Sequence, residues 1–226
     1  LVERRELYLL SNINRLHFIG IGGSGMSAIA KVFLEMGYVI SGSDITRSEI
    51  VHKLEQLGAK VYIGHQSSNI EGAEAIVVST AIPESNPELN AARDKGIKIF
   101  HRADLLAALM RRYHGIAIAG AHGKTTTTSM IALILENAGL QPTVLIGGEL
   151  DYLGGNAKLG KGGFLVAEAD ESDGSFLKLN PFIAVVTNIE NDHLDYYKNM
   201  ENMKAAFKKF TGNIKEGGFA VLGTDN

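Results

Sequence analysis

Lys124 and Thr125 directly follow a short glycine turn, Gly120-Ala121-His122-Gly123. An ammonium group there can neutralise β- and γ-phosphate oxygens, and a hydroxyl can reach Mg²⁺, which is the chemistry of an ATP phosphate loop. The spacing departs from the full Walker pattern, because Ile118 stands where its first glycine belongs and the nearest upstream glycine is Gly120. The context is the required one. Gly115–Ala119 reads as a buried strand, and a helix of about four turns runs on to Ala138 and is stopped by Gly139. Gly120, Ala121, His122, Gly123, Lys124, Thr125 and Thr126 are therefore the candidate nucleotide cradle.

Phosphoryl transfer also needs metal ligands near the phosphates. The run Glu168-Ala169-Asp170-Glu171-Ser172-Asp173 follows the apolar stretch Phe164–Ala167, and Asn188-Ile189-Glu190-Asn191-Asp192-His193 follows Ile183–Val186. In an α/β sheet both runs emerge at the strand ends where a phosphate loop also lies. Carboxylate oxygens and an imidazole nitrogen there suit Mg²⁺ or Mn²⁺ beside bound ATP. A solvated acidic loop is the plain alternative for either run taken alone.

A second glycine-rich turn, Gly20-Ile21-Gly22-Gly23-Ser24-Gly25, fits the G-x-G-x-x-G fingerprint between a strand at Leu16–Ile19 and a helix at Ser24–Met36. Such glycines let a diphosphate approach the backbone at a helix N-terminus. Asp44, at the end of the next strand, sits where a Rossmann domain places its ribose-binding carboxylate. This turn specifies a diphosphate rather than a particular dinucleotide. His65, after a strand, could reach a ligand in the same region, whereas His17, His52, His101 and His114 read as structural or surface residues. Arg111 and Arg112 read as a solvated helix end.

These groups need a scaffold, and short apolar runs alternate with helical patterns almost throughout. That rhythm specifies α/β layers with mainly parallel strands. The strands Tyr38–Ser41, Val61–Ile63, Ala75–Val78 and Ile97–Phe100 and a helix at Glu49–Leu57 belong to the first turn's domain. After a helix at Ala103–Arg112 the rhythm restarts. Met200, Met203, Phe207 and Phe210 mark the core-facing side of a late helix. The expected architecture is a Rossmann-like domain over residues 1–108 and a P-loop ATPase-type parallel-sheet domain over 109–226.

The chain has 226 residues, 45% apolar and 21% charged, with a formal net charge of −3. So small an acidic excess gives no reason to expect nucleic acid or an anionic membrane as partner. Cysteine is absent, which removes disulfides, thiolate zinc sites and thiol nucleophiles and fits a reducing cytoplasm. No apolar run is long enough to span a bilayer. Charges over Leu1–Glu6 stand where a signal peptide would need its apolar stretch. Phe219–Asn226 reads as a strand running into a loop, so the chain is expected to stop short of a domain boundary.

Taken together, His17–Met26, Ser41–Asp44, Ser79–Ile82, Ala119–Thr127, Glu168–Asp173 and Thr187–His193 resemble the Mur ligases in order and spacing. The resemblance implies that Gly22, Gly23, Ser24, Gly25 and Met26 hold the diphosphate of a UDP-sugar, with Asp44, His65, Ser79 and Thr80 near the nucleotide. It implies that Lys124 holds ATP phosphates, that Thr125 and Glu168 hold one Mg²⁺, and that Glu168 and His193 hold a second. Lys124, Glu168 and His193 are the catalytic set. The implied substrates are UDP-N-acetylmuramate and L-alanine, joined through an acyl phosphate in peptidoglycan precursor synthesis.

Phe207 stands where later members of the family carry a carbamylated lysine, as in the L-alanine-adding type. Ala121 stands where relatives commonly have threonine. The family's third domain is not in this chain, so residues 1–226 alone are expected to bind nucleotide without turnover. L-alanine-dependent ADP release by them would overturn that. A non-catalytic UDP-sugar-binding module and an NAD-dependent dehydrogenase built on Gly20–Gly25 and Asp44 are the competing readings. The second leaves Lys124, Glu168 and His193 without a role.

Overall fold

The computed structural model describes residues 8–150 and 154–224, the side chains of residues 8 and 149 excepted. The readings made on Leu1–Glu6 and on the last two residues lie outside these limits. Two sheets are built in sequence. In the first, β1 (Arg15–Ile19), β2 (Val39–Asp44), β3 (Lys60–Ile63), β4 (Ala75–Val78) and β5 (Lys98–His101) lie in the order β3-β2-β1-β4-β5, every pair parallel. That is the doubly wound order, and its switch point falls beside β1, at the first glycine turn. The connecting helices are α1 (Ser24–Glu35), α2 (Glu49–Gln56) and α3 (Pro87–Asp94).

α4 (Arg102–Arg112) carries the chain into the second sheet. The expected division at 108/109 falls inside this helix. Beyond it come β6 (His114–Ala119), α5 (Lys124–Asn137), β7 (Thr143–Leu150), β8 (Gly155–Lys158), β9 (Phe164–Glu168), β10 (Ile183–Val186), α6 (Leu194–Tyr197), α7 (Met200–Gly212) and β11 (Phe219–Leu222). Their order is β11-β10-β6-β9-β7-β8. All pairs are parallel except β7 with β8, so an antiparallel hairpin edge is added to the expected parallel sheet.

Alternation along the strands explains why both sheets are covered on both faces. In β6, Ala117 and Ala119 face a large central cluster, while Ile116 and Ile118 face α5 through Ile131 and Leu135. In β1, Phe18 faces the central cluster, and Ile19 faces α3 through Leu89 and Ala92. The central cluster is continuous from Phe18 and Phe33 through Leu105 and Leu109 to Leu165, Phe207 and Phe210. Phe207 is buried, its ring 5.2 Å from that of Phe176, so this position is apolar core.

α1 belongs to the first sheet by connection yet lies across β7 and β8 of the second. Asn156, buried on β8, donates from Nδ2 to the Ser24 carbonyl and to Ser27 Oγ, both at 2.8 Å. The first glycine turn is thereby set against the second sheet. Among the described residues no helix is long and apolar enough to cross a membrane.

Candidate functional site

The first turn is shaped by its glycines and by β2. Gly20 takes φ +76°, where a side chain would be strained, and the amides of Gly20 and Ile21 donate to the Ser43 carbonyl. The Gly22 amide donates to Asp44 Oδ2 at 2.8 Å, and Asp44 Oδ1 accepts from Thr46 at 3.2 Å. In this structure, then, the Asp44 carboxylate braces the turn, and the Gly22 amide points into the protein. α1 starts at Ser24 with no side-chain cap. Its first amides have no intrahelical acceptor, which leaves Ser24, Gly25 and Met26 suited to an anion.

His65 lies behind this turn, its Nδ1 3.0 Å from Ser43 Oγ. Ser43 in turn donates to Glu88 Oε2 at 2.5 Å, and Glu88 also accepts from Asn69 Nδ2 and the Gln66 amide and meets His17 Nε2 at 3.3 Å. Burial pushes the Glu88 carboxyl up, but the hydrogen bonds from His17, Ser43 and Asn69 outweigh it and hold the pKa below the ordinary value. Glu88 carried no sequence signal, because its partners come from β1, β2 and the segment after β3.

The second turn is pinned from β10. Thr187 Oγ1 and Asn188 Nδ2 donate to the His122 carbonyl at 2.6 and 3.0 Å, and the His122 amide donates to Asn188 Oδ1 at 2.9 Å. Gly120 sits at φ +134°, where a Cβ would lie 2.2 Å from Thr187 Oγ1. Gly123, at φ +79°, is the N-cap of α5, so Lys124, Thr125 and Thr126 form that helix's first turn. Lys124 Nζ donates to the Gly120 carbonyl at 2.5 Å and to Glu171 Oε1 at 2.6 Å.

Glu168 ends β9 and accepts the Gly147 amide at 2.9 Å. A Cβ on Gly147 would come within 2.7 Å of Glu168 Oε2, and one on Gly148 within 3.3 Å of Thr125 Cγ2. The absence of side chains at Gly147 and Gly148 thus leaves β7 room for the Glu168 carboxylate at one position and for the Thr125 side chain at the next. One carboxylate and one hydroxyl suit a Mg²⁺ that takes its remaining ligands from phosphate and water. Among the described residues no three His, Asp or Glu side chains gather as a self-contained metal site. His193 caps α6 at φ +54°, with Nε2 3.9 Å from Glu171 Oε1. Glu171 is buried between Lys124 and His193, and its Oε2 is a buried oxygen with no hydrogen-bond partner.

A cleft of about 420 Å³ runs from the first turn to Lys124 at the start of α5. Gly23, Ser24, Gly25 and Met26 line one side together with Ser79 and Thr80, and Lys124, Gly147 and Glu168 line the other. Thr80 Oγ1 bridges the sides by donating to Asp173 Oδ2 at 2.9 Å. Asp44, His65 and His193 do not line this cleft. Arg102 and Asp170 do, paired through Nη2 and Oδ2 at 2.5 Å. Burial raises the carboxyl of Asp170, but hydrogen bonds from Ser172 and the Arg102 charge more than reverse this. Burial of His101, the residue that caps α4, pushes its imidazole toward the neutral form. A lone arginine at a helix start matches no motif, and its importance is visible only in space.

The profile of the Mur ligase family catalytic domain matches residues 15–114, and that of the Mur ligase middle domain matches residues 118–226. Over 211 residues the chain is 59% identical to UDP-N-acetylmuramate–L-alanine ligase from Pelotomaculum thermopropionicum, covering 93% of this chain and 46% of that one. The UDP-N-acetylmuramate-alanine ligase structure from Thermotoga maritima superposes with a TM-score of 0.88 at 33% identity, over 94% of this chain and 49% of that one. UDP-N-acetylmuramate:L-alanyl-gamma-D-glutamyl-meso-diaminopimelate ligase from Neisseria meningitides gives the same score of 0.88 at 29% identity, over 95% and 72%. The chain spans about half the length of the curated relatives it matches. With the two domain profiles matched in order over most of the chain, the chain belongs to the Mur ligase family.

Proposed function

We propose that this chain is the nucleotide-handling part of an ATP-dependent ligase that joins L-alanine to UDP-N-acetylmuramate, in peptidoglycan precursor synthesis in the cytoplasm. The observation that carries this reading is the shared cleft, with an anion-binding helix start on one side and Lys124 with Glu168 on the other. The nucleotide sugar's diphosphate rests on Gly23–Met26, and its lactyl carboxylate extends toward Lys124. ATP lies along Gly120–Thr126. The γ-phosphoryl group passes to the carboxylate, giving an acyl phosphate and ADP. The amine of L-alanine then attacks the acyl carbon and phosphate leaves, so no enzyme nucleophile is required.

Within this scheme Lys124 exchanges Glu171 for the transferring group and offsets its charge, a matter of positioning and electrostatics. Thr125 and Glu168 are the residues that would hold one Mg²⁺ (or Mn²⁺), and Glu168 and His193 those that would hold a second, and bound metal would supply further charge neutralisation. L-alanine is favoured as the amino acid because curated relatives 54–59% identical to this chain are L-alanine ligases.

Calorimetry tests the reading. The chain is expected to bind UDP-N-acetylmuramate and ATP·Mg²⁺ but not NADH. Lys124→Ala should weaken ATP·Mg²⁺ by about tenfold or more, the worth of one lost charge-assisted hydrogen bond, and leave UDP, which has no lactyl carboxylate, unaffected. Binding of NADH in place of UDP-N-acetylmuramate would overturn it.

A further inference from the structure

Arg102 is the first residue of α4, and its backbone is fixed by a reciprocal cap. The His101 amide donates to Asp104 Oδ2 at 2.9 Å, and the Ala103 amide donates to His101 Nδ1 at 3.3 Å. From there the side chain reaches across to α1. A Cβ on Gly25 would lie 3.0 Å from Nη1, 3.6 Å from Cζ and 3.9 Å from Cδ. The guanidinium therefore rests on the first turn of α1, with its Nη2 edge on Asp170 and 16% of the side chain exposed.

Stability does not account for this placement. A cation at the start of its own helix opposes the dipole of α4, and against the start of α1 it opposes a second dipole. Asp170 offsets only part of this, because its Oδ1 is taken by the amide and hydroxyl of Ser172. A guanidinium has five N–H donors, and among the described residues Asp170 is the acceptor they meet. The rest of the fork faces a cleft that also receives the uncapped amides of α1.

We propose that Arg102 is a substrate-binding residue that clamps the diphosphate of the nucleotide sugar against the first turn of α1, while Asp170 fixes the fork's orientation from the second sheet. The inference rests on the function proposed above and names a residue for it that neither glycine turn contains. Gly25 acquires a second role. Besides admitting phosphate to the backbone, it leaves the space in which the guanidinium lies. The planar fork, unlike an ammonium, can engage a phosphate and Asp170 together.

The test is calorimetric titration of UDP-N-acetylmuramate, and of UDP, into the unaltered chain and four variants. Arg102→Ala is expected to weaken both ligands at least tenfold with ATP·Mg²⁺ affinity retained, and Arg102→Lys to recover only part of the loss. Asp170→Asn, which keeps the arginine, should stay within threefold of the unaltered chain. Gly25→Ala should weaken the UDP ligands with no loss of thermal stability, since its methyl displaces only a flexible side-chain end and alanine is the better helix former. If Arg102→Ala binds UDP-N-acetylmuramate as the unaltered chain does, or if Asp170→Asn is as weak as Arg102→Ala, the assignment is wrong. A loss seen with UDP-N-acetylmuramate and absent with UDP also overturns it, because the clamped group is then not the diphosphate. Failure of the unaltered chain to bind UDP-N-acetylmuramate defeats the parent reading instead, and this one with it.

Discussion

Glu88 ties several segments of the first sheet together. Its carboxylate is fully buried and receives Ser43, Asn69 and the Gln66 amide, with His17 at 3.3 Å, so α3 is tied by one side chain to β1 and β2. Glu88→Gln keeps the volume but turns one acceptor oxygen into a donor facing groups that themselves donate. The expected cost at neutral pH is about 1.5–3 kcal/mol, the range for hydrogen bonds to a charged group. The pH dependence has a definite sign. The folded-state pKa lies below the ordinary 4.5, so as pH falls the unfolded chain takes up the proton first. The stabilisation is whole above that value and drains away as pH drops through the lower folded one. Urea unfolding should therefore separate the two proteins at pH 7 and bring them closer below about pH 4. A gap that stays constant down to that pH would show that the charge is not what stabilises.

At the scale of elements, α4 carries Arg102 at its start and closes the first sheet onto the second, so its far end matters too. Lys215, in the loop before β11, donates to the carbonyls of Met110, Arg111 and Tyr113 at 2.9, 3.0 and 3.1 Å. One ammonium thus satisfies the terminal carbonyls of a helix and sits at the favourable end of its dipole. Lys215→Met retains the apolar stem and should lower unfolding stability by about 1–2 kcal/mol, with a urea midpoint unchanged from that of the unaltered chain counting against the cap. Most elements were legible beforehand, because strands such as Ile183–Val186 are short apolar runs and α1 and α5 are closed by glycines. The hairpin of β7 and β8 was not. Gly147 and Gly148 interrupt the apolar run of β7, and β8 reads Gly155-Asn156-Ala157-Lys158, with no pattern of its own until it meets α1. α3 did carry a signal, an Asn86 cap with Pro87 at the first helical position, but it spans only eight residues. Of the site, the two glycine turns and Glu168 were readable as motifs. Arg102 and the hold of Glu171 on Lys124 arise from contacts between segments distant in sequence.

Across the whole molecule, what matters is whether the two sheets behave as one body, since the cleft exists only while the two turns keep their spacing. The apolar cluster that contains Phe18 and Phe33 also contains Leu165 and Phe210, and it includes Leu105 and Leu109 of α4. Asn156 adds a directional link, tying β8 to the same turn of α1 that offers its amides to the cleft. A shared core makes opening one sheet expose the other. The core amides of β1 and β6 should then exchange with solvent hydrogen through a common unfolding event at the same free energy. Asn156→Ala leaves the Ser24 carbonyl and Ser27 hydroxyl without this buried partner, at a cost of about 1–3 kcal/mol. Native-state hydrogen exchange should register that loss equally in both strands, although the substitution touches neither. A loss confined to β1, or a difference between β1 and β6 before any substitution, would mean that the sheets open independently and that the spacing of the two turns depends on bound ligands.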